Sequence, residues 1–123
     1  MLASVALLLA VVQTSTHLSI EPWTGSDLQV TTADAAKYRL VISGPPKATI
    51  HLHASQVAQG WFAAFCTPRL CAPQRLDITL PDSGQTYLQF ELIRESTDAP
   101  QQSGATIVGD GGAFVIVPTA FRQ

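Results

Sequence analysis

Charge is scarce in this chain. Asp, Glu, Lys and Arg make up 13% of its 123 residues, against about 25% in an ordinary globular domain. Seven basic residues stand against nine acidic ones, for a net charge of −2 and a pI near 5.8. That leaves no basic field to hold nucleic acid. No apolar run reaches the roughly 20 residues that a membrane-spanning helix needs. A heptad repeat, a Walker-type phosphate loop and zinc-ribbon cysteine spacing are also lacking. The two cysteines do not form Cys-x-x-Cys, so a thioredoxin-like motif is not indicated. Catalytic sets are poor: no His neighbours Asp82-Ser83, and the carboxylates scatter over turns and polar faces. These lacks point to a protein that is no enzyme and takes no cofactor. What is present is 46% hydrophobic residues, enough to disfavour disorder and to build one domain.

The N-terminus opens on an apolar stretch, Leu2 to Val12, that turns polar at Gln13-Thr-Ser-Thr16. Its length suits a secretory h-region and is too short to span a bilayer. Thr14 and Ser15 supply small residues for cleavage, although no Lys or Arg precedes the run. The expectation is a signal peptide over 1–15, a lead-in over 16–27 and a sandwich domain over 28–123. The product would be secreted, periplasmic or held at the cell envelope, and not integral to the membrane after cleavage. In that compartment Cys66 and Cys71, in Phe-Cys-Thr-Pro-Arg-Leu-Cys, read as a disulfide.

Past residue 27 the apolar pattern has period two. Tyr38, Leu40 and Ile42 alternate with polar neighbours, as do Ile50 and Leu52, Leu76, Ile78 and Leu80, and Leu88, Phe90 and Leu92. Such alternation sets one face on a core and the other toward water. It predicts that Leu40, Ile42, Ile50, Leu52, Ile78, Leu80, Leu88, Phe90 and Leu92 are buried. His51, His53, Asp77 and Gln89 would then face outward. Leu28–Thr32, Gly60–Phe65, Ala105–Val108 and Ala113–Val117 are further strand candidates. Turns are marked by Ser43-Gly-Pro-Pro46, Pro81-Asp-Ser-Gly84 and Gly109-Asp-Gly-Gly112. Seven or eight short strands at this spacing predict an all-β fold, an antiparallel immunoglobulin-like β-sandwich.

Ala48-Thr-Ile-His-Leu-His-Ala54, Gln59-Gly-Trp-Phe-Ala-Ala-Phe65 and Ile78-Thr-Leu-Pro-Asp-Ser-Gly84 follow one another along the chain. Tyr87-Leu-Gln-Phe-Glu-Leu92, Asp98-Ala-Pro and Ser103-Gly-Ala-Thr-Ile107 complete the series. From about Tyr38 to Val117 this order resembles the immunoglobulin-like or fibronectin-type-III-like sandwich repeats of bacterial and archaeal glycosidases and surface proteins. The NPCBM-associated domain of alpha-galactosidases is the named family it is most similar to. The resemblance implies a fold and no catalytic residues, and the Cys66–Cys71 stretch is an insertion relative to it.

Several residues could carry recognition or chemistry. Arg69, between the cysteines, would be displayed on a small constrained loop, and loops on rigid scaffolds often carry function. Trp61, with Phe62 and Phe65, is either core packing beside the bridge or a stacking platform. Trp23 lies outside the alternating region and is a second candidate for binding. His51 and His53, at i and i+2 on one strand face about 7 Å apart, are a weak metal pair beside a solvent-facing reading. Asp77 and Glu91 could meet on neighbouring strands, with ladder residues facing solvent as the plain alternative. The leading expectation is a non-enzymatic interaction or structural module whose partner is a protein or a cell-surface glycan, with no nucleic acid involved. The alternatives are a carbohydrate-binding accessory domain and a small metal-binding periplasmic protein.

Overall fold

The computed structural model describes residues 15–26, 28, 35–96, 98–99 and 103–118. The apolar run Leu2–Val12 lies outside the described residues, and of the candidate strand Leu28–Thr32 only Leu28 is among them. The chain is all-β. Its strands are β1 (His17–Pro22), β2 (Ala35–Ser43), β3 (Thr49–Ser55), β4 (Trp61–Cys66), β5 (Cys71–Pro73), β6 (Arg75–Thr79), β7 (Gln85–Arg94), β8 (Ala105–Val108) and β9 (Phe114–Val117). They form two antiparallel sheets, a five-stranded one ordered β1-β2-β7-β4-β5 and a four-stranded one ordered β6-β3-β8-β9. Among the described residues no helix is long and apolar enough to cross a membrane.

The period-two pattern builds the core as expected. Tyr38, Leu40 and Ile42 of β2, Ile50, Leu52 and Ala54 of β3, and Leu88, Phe90 and Leu92 of β7 are buried between the sheets. Trp61, Ala63 and Phe65 of β4 and Ile107 of β8 complete the layer. Phe90 sits opposite Tyr38 in β2 and opposite Phe65 in β4, with ring centroids 6.5 and 5.1 Å away. Ile78 is only partly buried, because β6 is an edge strand and its inward side chains lie at the rim of the core.

One departure concerns the strand set. The stretch read as a lead-in contains β1, whose residues pair with β2 from His17 opposite Ser43 to Pro22 opposite Tyr38. Leu18 and Ile20 turn inward onto the core, which is why six residues suffice to hold the strand. The strand order adds long-range pairings. β2–β7, β3–β6 and β4–β5 are nested pairs of one long folded ribbon, and β4–β7 and β3–β8 close it upon itself. In the immunoglobulin constant-type order the second strand lies between the first and the fifth; here β2 lies between β1 and β7. Alternation specifies a strand's faces and is silent on its neighbours, so the pattern carried the sandwich and not its connectivity.

One residue moves the chain between sheets. Pro73 ends β5 and Arg75 begins β6, with Gln74 between them at φ 66°. The Gln74 N–H donates to the Ala63 carbonyl of one sheet (3.0 Å), and its carbonyl accepts from the Ala54 N–H of the other (2.9 Å). The corner therefore leaves its backbone groups satisfied.

The phenol of Tyr38 donates to the Pro118 carbonyl (3.0 Å), tying the end of β9 to the middle of β2. Burial pushes this phenol above its ordinary 10.0, and a hydrogen bond with Ser103 offsets part of the rise. An acid with a raised folded pKa contributes stability that is intact below its unfolded pKa and is lost as pH climbs through the folded one. The melting temperature of the wild type is expected to fall more steeply than that of Tyr38→Phe between about pH 9 and about pH 11. Parallel curves would contradict the burial of this hydroxyl.

Candidate functional site: a disulfide-clamped hairpin tip

β4 and β5 form a short hairpin that projects from the five-stranded sheet. Cys66 lies directly opposite Cys71 in the register, and the two are joined by a disulfide with Cα atoms 3.9 Å apart. The expected bridge is thus present. Beyond it the tip closes by a bond from the Thr67 N–H to the Leu70 carbonyl (2.8 Å). The Thr67 hydroxyl oxygen accepts from the N–H groups of Arg69 (3.2 Å) and Leu70 (3.3 Å). Pro68 fixes φ at the first central position of the turn. Covalent bridge, proline and threonine hydroxyl together shape four residues that a bare hairpin would leave mobile. Arg69 is exposed, as its place between the cysteines suggests, and so is Leu70 at 48%. Leu70 was missed in the sequence because it sits in no alternating run.

The hairpin stands over an unusual outer face. On β7, Gln89 and Glu91 point away from the inter-sheet core, beside Cys66 and Ala64 of β4. All four are buried, Glu91 to 1% exposure. The expectation that Gln89 faces water is therefore corrected: its direction is as read, but the face is covered. Two residues that follow β1, Trp23 and Leu28, lie at this face. The Trp23 N–H donates to the Lys37 carbonyl (3.2 Å), and the Leu28 N–H donates to Oε1 of Gln89 (2.9 Å). Period two identifies a face and cannot report what lies over it. Gln89→Leu removes the acceptor of a covered N–H, and an unfolding free energy lower by about 1–3 kcal/mol is expected in urea titration. A neutral effect would contradict the covered face.

Glu91 is the residue that the sequence most undervalued. Its Oε2 lies 3.3 Å from Sγ of Cys66, and the ligand atoms of Cys66, Cys71 and Glu91 fall within 4.8 Å of one another. As a disulfide, the two sulfurs are not in the thiolate form that binds metals. The suggested meeting of Glu91 with Asp77 does not occur, because β7 and β6 lie in different sheets.

The other candidates are dispersed. Trp61 is a core residue at 4% exposure, so its ring offers no stacking platform. Trp23 is half-buried, with its indole N–H on the Ser26 carbonyl (3.2 Å) and its ring centroid 6.2 Å from that of Tyr87. The Arg39 guanidinium carbon sits 4.2 Å from the Tyr87 centroid, a cation–π contact. Tyr87 is 48% exposed, and with Arg39, Val41, Ser83, Gln85 and Thr86 it borders a shallow depression of about 380 Å³.

His51 and His53 project from the outer face of the four-stranded sheet, exposed as expected. Nδ1 of His51 lies 3.2 Å from each carboxylate oxygen of Asp110, and the His51 backbone N–H donates to the same carboxylate. Asp110 thereby extends the β3–β8 ladder past the point where β8 ends, so a structural role occupies this histidine. His53 faces Arg75 across β6, a cation unsuited to the rim of a metal site. No protein family, curated protein or solved structure matches the chain.

Proposed function

We propose that the protein is an exported, non-enzymatic interaction module whose contact element is the Thr67–Leu70 tip, and that its partner is a protein. The observation that carries this reading is the construction of the tip: a guanidinium and an isobutyl group presented side by side on a bridged, proline-restricted turn. Arg69 suits a carboxylate and Leu70 an adjoining apolar pocket. A loop already held in shape loses little conformational freedom on binding. Export is supported by the apolar run Leu2–Val12 and by the bridge itself, since disulfides persist in oxidising compartments. The likeness of Tyr38–Val117 to sandwich repeats that stand beside other domains adds weight to a module that works through a partner.

A second reading has its own observation. The Trp23–Tyr87 pair with Arg39, beside the depression that Tyr87 borders, offers aromatic faces and donors of the kind that hold sugar rings. It favours a carbohydrate-binding accessory role. Co-sedimentation of the purified protein with envelope fractions of its source cells tests both. Binding lost after protease treatment of the envelope supports the protein partner. Binding that survives protease and is competed by soluble glycan, with Tyr87→Ala weakened, supports the second reading. An intact Met1 on material recovered from soluble cytoplasm would contradict export.

A further inference from the structure

The bridge beneath the tip has the parts of a thiol–disulfide exchange centre, and we propose that Cys66–Cys71 serves as one, with Glu91 as its proton station. This goes beyond the binding reading and does not depend on it. Three observations carry it. The two sulfurs are unequal: Cys71 belongs to an exposed residue at the surface of the hairpin, whereas Cys66 is buried. A buried carboxyl group lies against the inner sulfur, with Oε2 of Glu91 3.3 Å from Sγ of Cys66 and within 4.8 Å of the outer sulfur. The bridge also joins adjacent strands at an edge of the sheet, so opening it requires no separation of the two sheets.

The chemistry follows from that asymmetry. A thiolate, from a small-molecule thiol or from a cysteine of another protein, attacks Sγ of Cys71, the sulfur it can reach. A new S–S bond forms to Cys71, the Cys66–Cys71 bond breaks, and its electron pair passes to Sγ of Cys66. That sulfur takes up a proton through Glu91 and becomes a thiol. In the return step the Cys66 thiol gives its proton to the Glu91 carboxylate and attacks Cys71. The bridge is restored and the incoming thiolate is expelled. A second thiolate attacking the mixed disulfide instead releases Cys71. The sum is two thiols oxidised to one disulfide and the bridge reduced to two thiols.

A disulfide sulfur carries no proton, so the 3.3 Å contact is a donor–acceptor pair in either of two forms. In the oxidised state a carboxylic acid can donate to sulfur, and in the reduced state a thiol can donate to carboxylate. The charged groups that face Glu91 in the sheet are Lys37, directly opposite on β2, and Arg39, one pair along. β4 presents Ala64 directly opposite and Cys66 diagonally. The carboxylate is the form that accepts the proton of Cys66 in the return step.

The test uses the full chain under native conditions. With glutathione, the wild-type bridge is expected to open faster than the protein unfolds. In Cys66→Ser, glutathione disulfide is expected to cap Cys71 as a mixed disulfide detectable by mass, whereas in folded Cys71→Ser the Cys66 thiol stays unmodified. Closure of the reduced wild type by glutathione disulfide, followed by acid quenching, reads the return step. Glu91→Gln is expected to slow that step on the order of tenfold or more near neutral pH and to flatten its pH profile, with little change in the first attack on Cys71. The glutathione experiments on the wild type and the two serine variants decide the matter should Glu91→Gln fail to fold. Opening that only keeps pace with unfolding, absence of a mixed disulfide at Cys71, or an unchanged return rate in folded Glu91→Gln would each overturn the proposal.

Discussion

Replacing Phe90 with alanine is expected to lower the unfolding free energy by about 3–5 kcal/mol. Phe90 is fully buried in the central part of β7, between Tyr38 on one neighbouring strand and Phe65 on the other. Both rings approach in tilted geometry, which adds to the area that burial removes from water. Truncation opens a cavity in a layer whose walls belong to two sheets, and a wall that is hydrogen-bonded on both sides collapses poorly. Urea unfolding of the wild type and the variant reads the difference directly. A loss below about 1 kcal/mol would mean that β7 is out of register, because a one-residue slip moves every side chain to the opposite face.

Gly84→Ala is expected to cost about 2–4 kcal/mol, combining a left-handed backbone with the loss of a turn hydrogen bond. Gly84 has φ 74°, and a Cβ added there would lie 2.6 Å from the Gly44 carbonyl oxygen, a backbone atom that cannot swing aside. The same approach joins two turns, since the Gly44 N–H donates to the Gly84 carbonyl (2.9 Å). The residue also closes the Pro81–Gly84 turn by donating to the Pro81 carbonyl (2.9 Å). Its presence at the last position of that turn was legible in the sequence, but the backbone packed against it was not. Chemical unfolding of Gly84→Ala checks the value, and a loss of a few tenths of a kcal/mol would show that the two turns do not touch as described.

What the sequence disclosed and what it hid divide along physical lines. The inward residues of β2, β3 and β7 were legible because one buried face imposes period two. The bridge was legible because only two cysteines exist and four residues separate them. β1 was hidden by brevity: His-Leu-Ser-Ile-Glu alternates, yet the run is short and directly follows an apolar stretch. Strand order was hidden because long-range pairing leaves no local mark. Gln89 and Glu91 were misjudged for one shared reason. They lie on the outer face of their sheet, and Trp23 and Leu28, which help cover that face, belong to a distant part of the chain. The site at the hairpin therefore came half from the sequence, with Arg69 and the bridge. The other half, Leu70 and Glu91, required the folded chain.

The central claim is that the clamped tip makes the partner contact, and titration of the isolated partner with the wild type and with Arg69→Ala tests it most directly. The account predicts that Arg69→Ala weakens binding about tenfold, on the order of 1.4 kcal/mol, with no change in melting temperature. Reduction of the bridge should weaken the wild type as well. Equal affinity of the variant and the wild type for a partner that both bind would contradict the account and move the contact to another face of the sandwich.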